Sequence, residues 1–336
     1  MKKSLLAFAM TLIFMLGGCA NEKPAADQGA STSTQSSESS NPGDKTIKVG
    51  ILQFTEHVAL DRAREGFIKG LEEKGYTVEE TTTNVQGDVG LIPASATKFQ
   101  ADGVDVIYAI ATPAAQGAMN AVKDIPIIFN AVTDAEAAGL VASNEKPGGN
   151  VTGVSDYFSQ EVQLNNFLEL FPDSKNLGVL YSTGEANSEA QIKALKELCQ
   201  QKGITLHETG VATTNDISQA MTSLVTKIDS YVAIADNLAS SAAPIISGKL
   251  TEKKIPSYAA EEGPCENGIL FSDGVDYLEL GKMAAGMADE IKNGKNPGDI
   301  PVGFAQNSKR IVNKTTAQAI GLKDDNPIYK DAKVVE

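Results

Sequence analysis

The chain has 336 residues, with 43 Asp and Glu against 29 Lys and Arg, for a formal net charge of −14. That balance excludes nucleic-acid binding, which needs a basic face. The arginines, Arg62, Arg64 and Arg310, are too few for clustered forks around a multiply charged phosphate.

Lys2 and Lys3 precede an apolar run over 5–16, and Leu16-Gly17-Gly18 stands directly before Cys19. This is the pattern of a bacterial secretion signal, residues 1–18, closed by a lipobox whose cysteine thiol takes a diacylglycerol. The run is shorter than the ~20 residues a membrane span needs. Residues 19–45 are rich in Ser, Thr, Gln, Asn, Gly and Pro. Such a segment buries too little apolar surface to offset chain entropy, so it reads as a disordered tether between lipid and folded body. The expected location is the extracytoplasmic face of the cell membrane, held by lipid on Cys19. Cys199, in a helical pattern over 190–202, and Cys265, in the loop Glu262-Gly263-Pro264-Cys265, remain; a disulfide between them is open in an exported protein.

The body repeats one pattern twice. The first copy predicts a strand over 47–54, a helix over 59–74, an edge-like strand over 76–83, a helix over 89–101, a strand over 104–111, a helix from Pro113 and a strand over 125–131. The second predicts strand 177–181, helix 188–202, strand 205–211, helix 217–227, strand 231–235, helix 240–253 and strand 255–260. Local echoes accompany the order: Asp124-Ile125-Pro126 with Lys254-Ile255-Pro256, and Gly103-Val104-Asp105 with Lys227-Ile228-Asp229. Strands apolar throughout, alternating with amphipathic helices, indicate parallel sheets covered on both faces. The fold class is therefore α/β, with two doubly wound, Rossmann-like domains.

Each copy closes on a glycine-flanked strand leading to an acid and an aromatic, Asp156-Tyr157 and Asp276-Tyr277. Read as strands that cross between domains, with a helix over 277–292 returning to the first domain and the segment from about Pro301 crossing once more, they give a three-crossover hinge near Ser155, Asp273 and Ala305. The domains are then 46–154 plus 274–302, and 155–273 plus 303–336. A ligand would sit between them, beyond the carboxyl ends of the strands.

Catalytic chemistry finds no footing. The first strand-to-helix turn, Gln53-Phe54-Thr55-Glu56-His57, has no glycine for a dinucleotide, and no Walker A sequence or Gly-x-Ser-x-Gly elbow occurs. His57 and His207 fall in opposite copies without partners at metal-ligand spacing, so neither metal nor cofactor is expected. An enzyme would need a nucleophile, base pair or cofactor loop that this chain lacks.

Binding groups gather instead at strand ends. Thr112 as helix cap and Pro113 at the first helical position, followed by Ala114, offer free amides and a positive dipole end for a carboxylate. A plain structural cap explains them equally well. Asp236-Asn237 occupies the matching place in the second copy and suits an ammonium. Glu261, Asp273, Glu56, His57, Asn187 and Ser188 complete the ring, while Phe54, Tyr157 and Phe158 offer apolar walls.

Several of these segments together resemble the tryptophan/tyrosine-type substrate-binding lipoproteins of ABC importers. They are the run from Gly50 to Asp61, Ala111-Thr112-Pro113-Ala114-Ala115-Gln116, the run from Lys146 to Asp156, Gly184-Glu185-Ala186-Asn187-Ser188, and Asp236-Asn237. The resemblance spans about residues 46–322. It implies a type I periplasmic-binding-protein fold, an α-amino acid ligand with an aromatic side chain, and an ABC permease with its ATPase as partners. Ala260-Glu261-Glu262-Gly263 departs from the Gly-Asp-Glu-Gly of many relatives, and the Pro264-Cys265-Glu266 that follows is unusual. Both leave the ligand's identity open. A sugar receptor of the same fold and a sensory lipoprotein stand as alternatives.

Overall fold

The structure is a computed structural model that describes residues 45–336; the secretion signal, Cys19 and the tether lie outside the described residues. The first lobe runs β1 (Lys45–Gln53), α1 (Val58–Glu73), β2 (Tyr76–Asn84), α2 (Ile92–Asp102), β3 (Val106–Ile110), α3 (Thr112–Ala121), β4 (Ile127–Val132) and β5 (Val151–Ser155). The second runs α4 (Gln160–Leu170), β6 (Asn176–Ser182), α5 (Ala186–Lys202), β7 (Thr205–Val211), α6 (Thr214–Leu224), β8 (Ser230–Ala233), α7 (Asn237–Ser241), α8 (Ala243–Glu252), β9 (Ser257–Ala259), α9 (Glu262–Glu266) and β10 (Phe271–Gly274). Then follow α10 (Tyr277–Lys292), β11 (Gly303–Phe304), β12 (Lys309–Asn313), α11 (Lys314–Ile320) and β13 (Lys333–Val335).

The first sheet has the order β2-β1-β3-β4-β5-β11 and is parallel throughout. The second, β7-β6-β8-β9-β10-β12-β13, repeats that order and is parallel except where β10 meets β12. Every residue of β3 and β4 is buried, as strands covered on both faces must be. In the second lobe, one face packs α4 and α5 around Phe167, Tyr258 and Phe271, and the other packs α6 and α8 around Met221, Tyr231 and Ile246.

The sequence echoes do the same job twice. The Asp105 carboxylate accepts the backbone N–H of Lys48 at 2.8 Å, fixing the start of β1 against β3. Asp229 accepts from the N–H groups of Lys175 and Asn176 at 3.0 Å, fixing β6 against β8.

Helix α10 returns to the first lobe, where it lies along α1. Glycines allow the two backbones to touch: a Cβ on Gly66 would fall 2.0 Å from the Leu278 carbonyl oxygen, and one on Gly281 2.3 Å from that of Ala63. The chain crosses between sheets after β5, between β10 and α10, and between β11 and β12.

Two local expectations change. The helix expected over 240–253 is two helices, because Pro244, which lacks an N–H, sits in the first turn of α8 and starts it afresh. Cys265 lies in the short helix α9 rather than in a loop. Cys199 and Cys265 are both free and buried.

Candidate functional site

In both sheets the strand order reverses beside the first strand of the copy, between β1 and β3 and between β6 and β8, and loops leaving these strands face each other. This is where doubly wound sheets leave a crevice for ligands. Three adjoining cavities run along the seam. The first, about 110 Å³, is lined by Tyr157, Phe158, Ala190, Ala194, Ala235 and Ala260 among others. A small one of about 10 Å³ lies against Ala131, Asp156, Asn187, Asp236, Glu261 and Tyr277. The third, about 220 Å³, lies between Phe54 and Thr55 on one lobe and Glu185, Asn237 and Leu238 on the other. No Lys or Arg lines any of the three.

Around the smallest cavity, three carboxyl groups are almost fully buried. Asp236 caps α7: its Oδ1 accepts the Ala239 N–H at 2.7 Å, and its Oδ2 accepts from the Ser182 N–H and the Ser188 hydroxyl, each at 2.6 Å. Glu261 accepts a short bond from the Ser240 hydroxyl. Asp156 accepts from the Tyr277 hydroxyl at 2.7 Å through Oδ2, while its buried Oδ1 has no partner. Burial raises the pKa of all three, carrying Glu261 to about 8.

The other expected residues fall into distinct places. Asn187 donates to the Ala235 carbonyl at 2.9 Å, and its own buried Oδ1 is unpartnered. Ser188 supports Asp236 and lines none of these three cavities. His57 meets the Asn237 Oδ1 at 3.2 Å across the lobes, and burial lowers its pKa, opposed by that hydrogen bond. Glu56 is exposed and lines none of these three cavities. Asp273 is taken up by Arg310, with Nη2 at 2.6 Å and Nε at 3.1 Å from its carboxylate oxygens, and by the Asn166 amide at 3.0 Å. Phe54 and Tyr157 lie in the third and first cavities, so they do not share a wall.

At the start of α3 the structure corrects the cap. Ala111 is the capping residue, Thr112 the first helical residue and Pro113 the second, followed by Ala114; all are buried. The Thr112 hydroxyl has no partner. Ala111 has φ 86° and ψ 154°, a region nearly exclusive to glycine, and Ala131 at the end of β4 has φ 56°. One residue restrains both alanines. Asn130 accepts the Ala111 N–H at its carbonyl (2.9 Å) and the Ala131 N–H at its side-chain oxygen (2.7 Å). Its amide donates to the Tyr108 hydroxyl, which donates to the Ala63 carbonyl.

Sequence reasoning left out Asp156, Tyr277, Glu185 and Asn130 as site residues. Asp156 and Tyr277 carried a signal, the acid-aromatic pair closing each copy. Glu185, whose carboxylate receives the N–H groups of Asn237 and Leu238 at 3.2 and 3.1 Å, stood only within the Gly184-to-Ser188 segment that carries the family resemblance.

Residues 48–336 match the family of ABC transporter substrate binding proteins. The chain belongs to that family. A tyrosine-binding protein of Clostridioides difficile (strain R20291) is 41% identical over 324 residues, covering 95% of this receptor and 92% of the relative. A Streptococcus pneumonia ABC domain solved with L-Trp superposes with a TM-score of 0.82 at 34% identity, covering 87% of this chain and 100% of that one. A ligand-free, open substrate-binding protein from Clostridium difficile gives 0.67 at 42% identity, covering 86% of this chain and 99% of that one. The more similar sequence is the less similar shape. By this measure the receptor stands nearer the relative solved with L-Trp than the open one. The fold is that of type I periplasmic binding proteins. The protein is an extracytoplasmic receptor of an ABC importer and not an enzyme.

Proposed function

We propose that this receptor binds a zwitterionic aromatic amino acid, tyrosine or tryptophan, in the interdomain cleft and hands it to its permease. The observation that carries this is a set of buried carboxyl groups, Asp156, Asp236 and Glu261, around a cavity with no lysine or arginine on its walls. Buried acids without a cation are costly unless a ligand supplies one, and an ammonium does so. Asp156 Oδ1 is the first partner, because Asp236 already receives three hydrogen bonds. The unpaired Thr112 hydroxyl and the start of α3 take the carboxylate, as a helix N-terminus suits an anion without arginine. The ring occupies the first cavity, between Tyr157 and Phe158 and the alanines of α5. The names of the two similar proteins, one tyrosine-binding and one solved with L-Trp, support the same class.

A thermal-shift screen tests this reading, since a ligand that binds only the folded state raises Tm. L-Tyrosine and L-tryptophan should raise it, while their deamino analogues and neutral sugars should not. A sugar that stabilises where the amino acids do not would refute the assignment.

We also propose that the receptor is held at the membrane by lipid on Cys19, a reading supported by the Leu16-Gly17-Gly18-Cys19 sequence. Cys19→Ala should move the protein into the soluble fraction; a variant still bound to membranes would contradict the anchor.

A further inference from the structure

The acidic turn after β9, set apart in the sequence by Glu261-Glu262 and Pro264-Cys265-Glu266, does two things. Glu261 lines the ligand cavity. Glu262 and Glu266, on α9 of the second lobe, meet Arg62 on α1 of the first. Arg62 Nη1 contacts a Glu262 oxygen, and Nη2 lies 3.0 Å from each oxygen of Glu266. Lys333 stands 3.3 Å from Glu266. The backbones come close beside the pair: a Cβ on Gly263 would lie 3.2 Å from the Val58 Cβ. The Arg62, Glu262 and Glu266 side chains are 26%, 6% and 21% exposed, so solvent screens them only in part.

We propose that Arg62, Glu262 and Glu266 form an interlobe latch that governs how long the receptor retains its ligand, although none of the three lines the cavities of the cleft. On this proposal the pair parts as the cleft opens, so its interaction stabilises the closed state alone. A contact made only in the closed state raises apparent affinity by shifting the closure equilibrium, and its loss shows in release. The position of Glu262 next to Glu261 ties the latch to the wall of the cavity. Its loss should therefore speed release and leave capture by the open form nearly unchanged.

The test uses L-tyrosine as probe and rests on the amino-acid reading of the cleft. Dissociation measured by stopped-flow chase should be roughly tenfold faster in Arg62→Gln and in Glu266→Gln, with association changed less than about threefold, as expected when one member of a partly desolvated charge pair is removed. The double variant should release no faster than Arg62→Gln alone, because both changes break one interaction. Unchanged release rates in both single variants, or fully additive effects in the double, would overturn the latch. If the wild type binds neither L-tyrosine nor L-tryptophan, the amino-acid reading fails by itself. The latch is then judged by solution scattering of the unliganded proteins, where Arg62→Gln must give the larger radius of gyration and an equal radius overturns it.

Discussion

Asp156, Asp236 and Glu261 hold their protons more tightly than free acids because burial penalises their charged forms and no lysine or arginine lines their cavity. For Glu261, the ordinary value of 4.5 rises to about 8. Between those values the native state binds more protons than the unfolded one, so unliganded stability from this group falls as pH rises through the window. An arriving ammonium reverses the preference and favours the ionised carboxyl. Binding of L-tyrosine at pH 7 should therefore release protons, seen as a binding enthalpy that varies with the ionisation enthalpy of the buffer. A buffer-independent enthalpy would contradict a protonated acid at the site. In the sequence, Asp236 and Glu261 were legible as acids at strand ends. The Thr112 cap was misplaced by one residue because Ala111 adopts a backbone conformation that sequence rules reserve for glycine. Nor can sequence show that the Asp156 Oδ1 lacks a partner, since that depends on groups far apart in the chain.

Elements were legible wherever periodicity and punctuation agreed, as in α10, whose bounds Tyr277 and Lys292 match the pattern. They were not where tertiary contacts decide: Gly263-Pro264 reads as a loop, yet docking against α1 and β10 shapes it into α9. The end of β4 is a similar case. Asn130 is a polar residue in a strand of apolar ones, and its reason is the network that holds Ala111 and Ala131 in strained backbone. Asn130→Ala should cost about 2 kcal/mol or more, because it leaves the buried Ala131 N–H without its acceptor and the Tyr108 hydroxyl without its donor. Ala111→Gly should instead stabilise the fold by about 1 kcal/mol, by relieving the strain. Chemical denaturation measures both. Equal destabilisation by the two changes would show that Ala111 is not strained.

At the scale of the whole molecule, two copies of one strand order face each other so that corresponding turns meet: those after β1 and β3 on one lobe, those after β6 and β8 on the other. That duplication was legible because each copy carries its own run of apolar strands and its own strand-fixing aspartate. The closed seam was not, because it consists of contacts such as His57–Asn237 and Arg62–Glu266, which join residues about two hundred positions apart. On the proposed reading the cleft recognises an amino acid by charge before shape, and the acid with a free buried oxygen is the test of it. Calorimetric titration of L-tyrosine and L-tryptophan into the wild type and Asp156→Asn measures this directly. The variant should bind at least ~30-fold more weakly, the loss of about 2 kcal/mol or more that follows when one partner of a buried charge pair is removed. Undiminished affinity in Asp156→Asn would contradict the account.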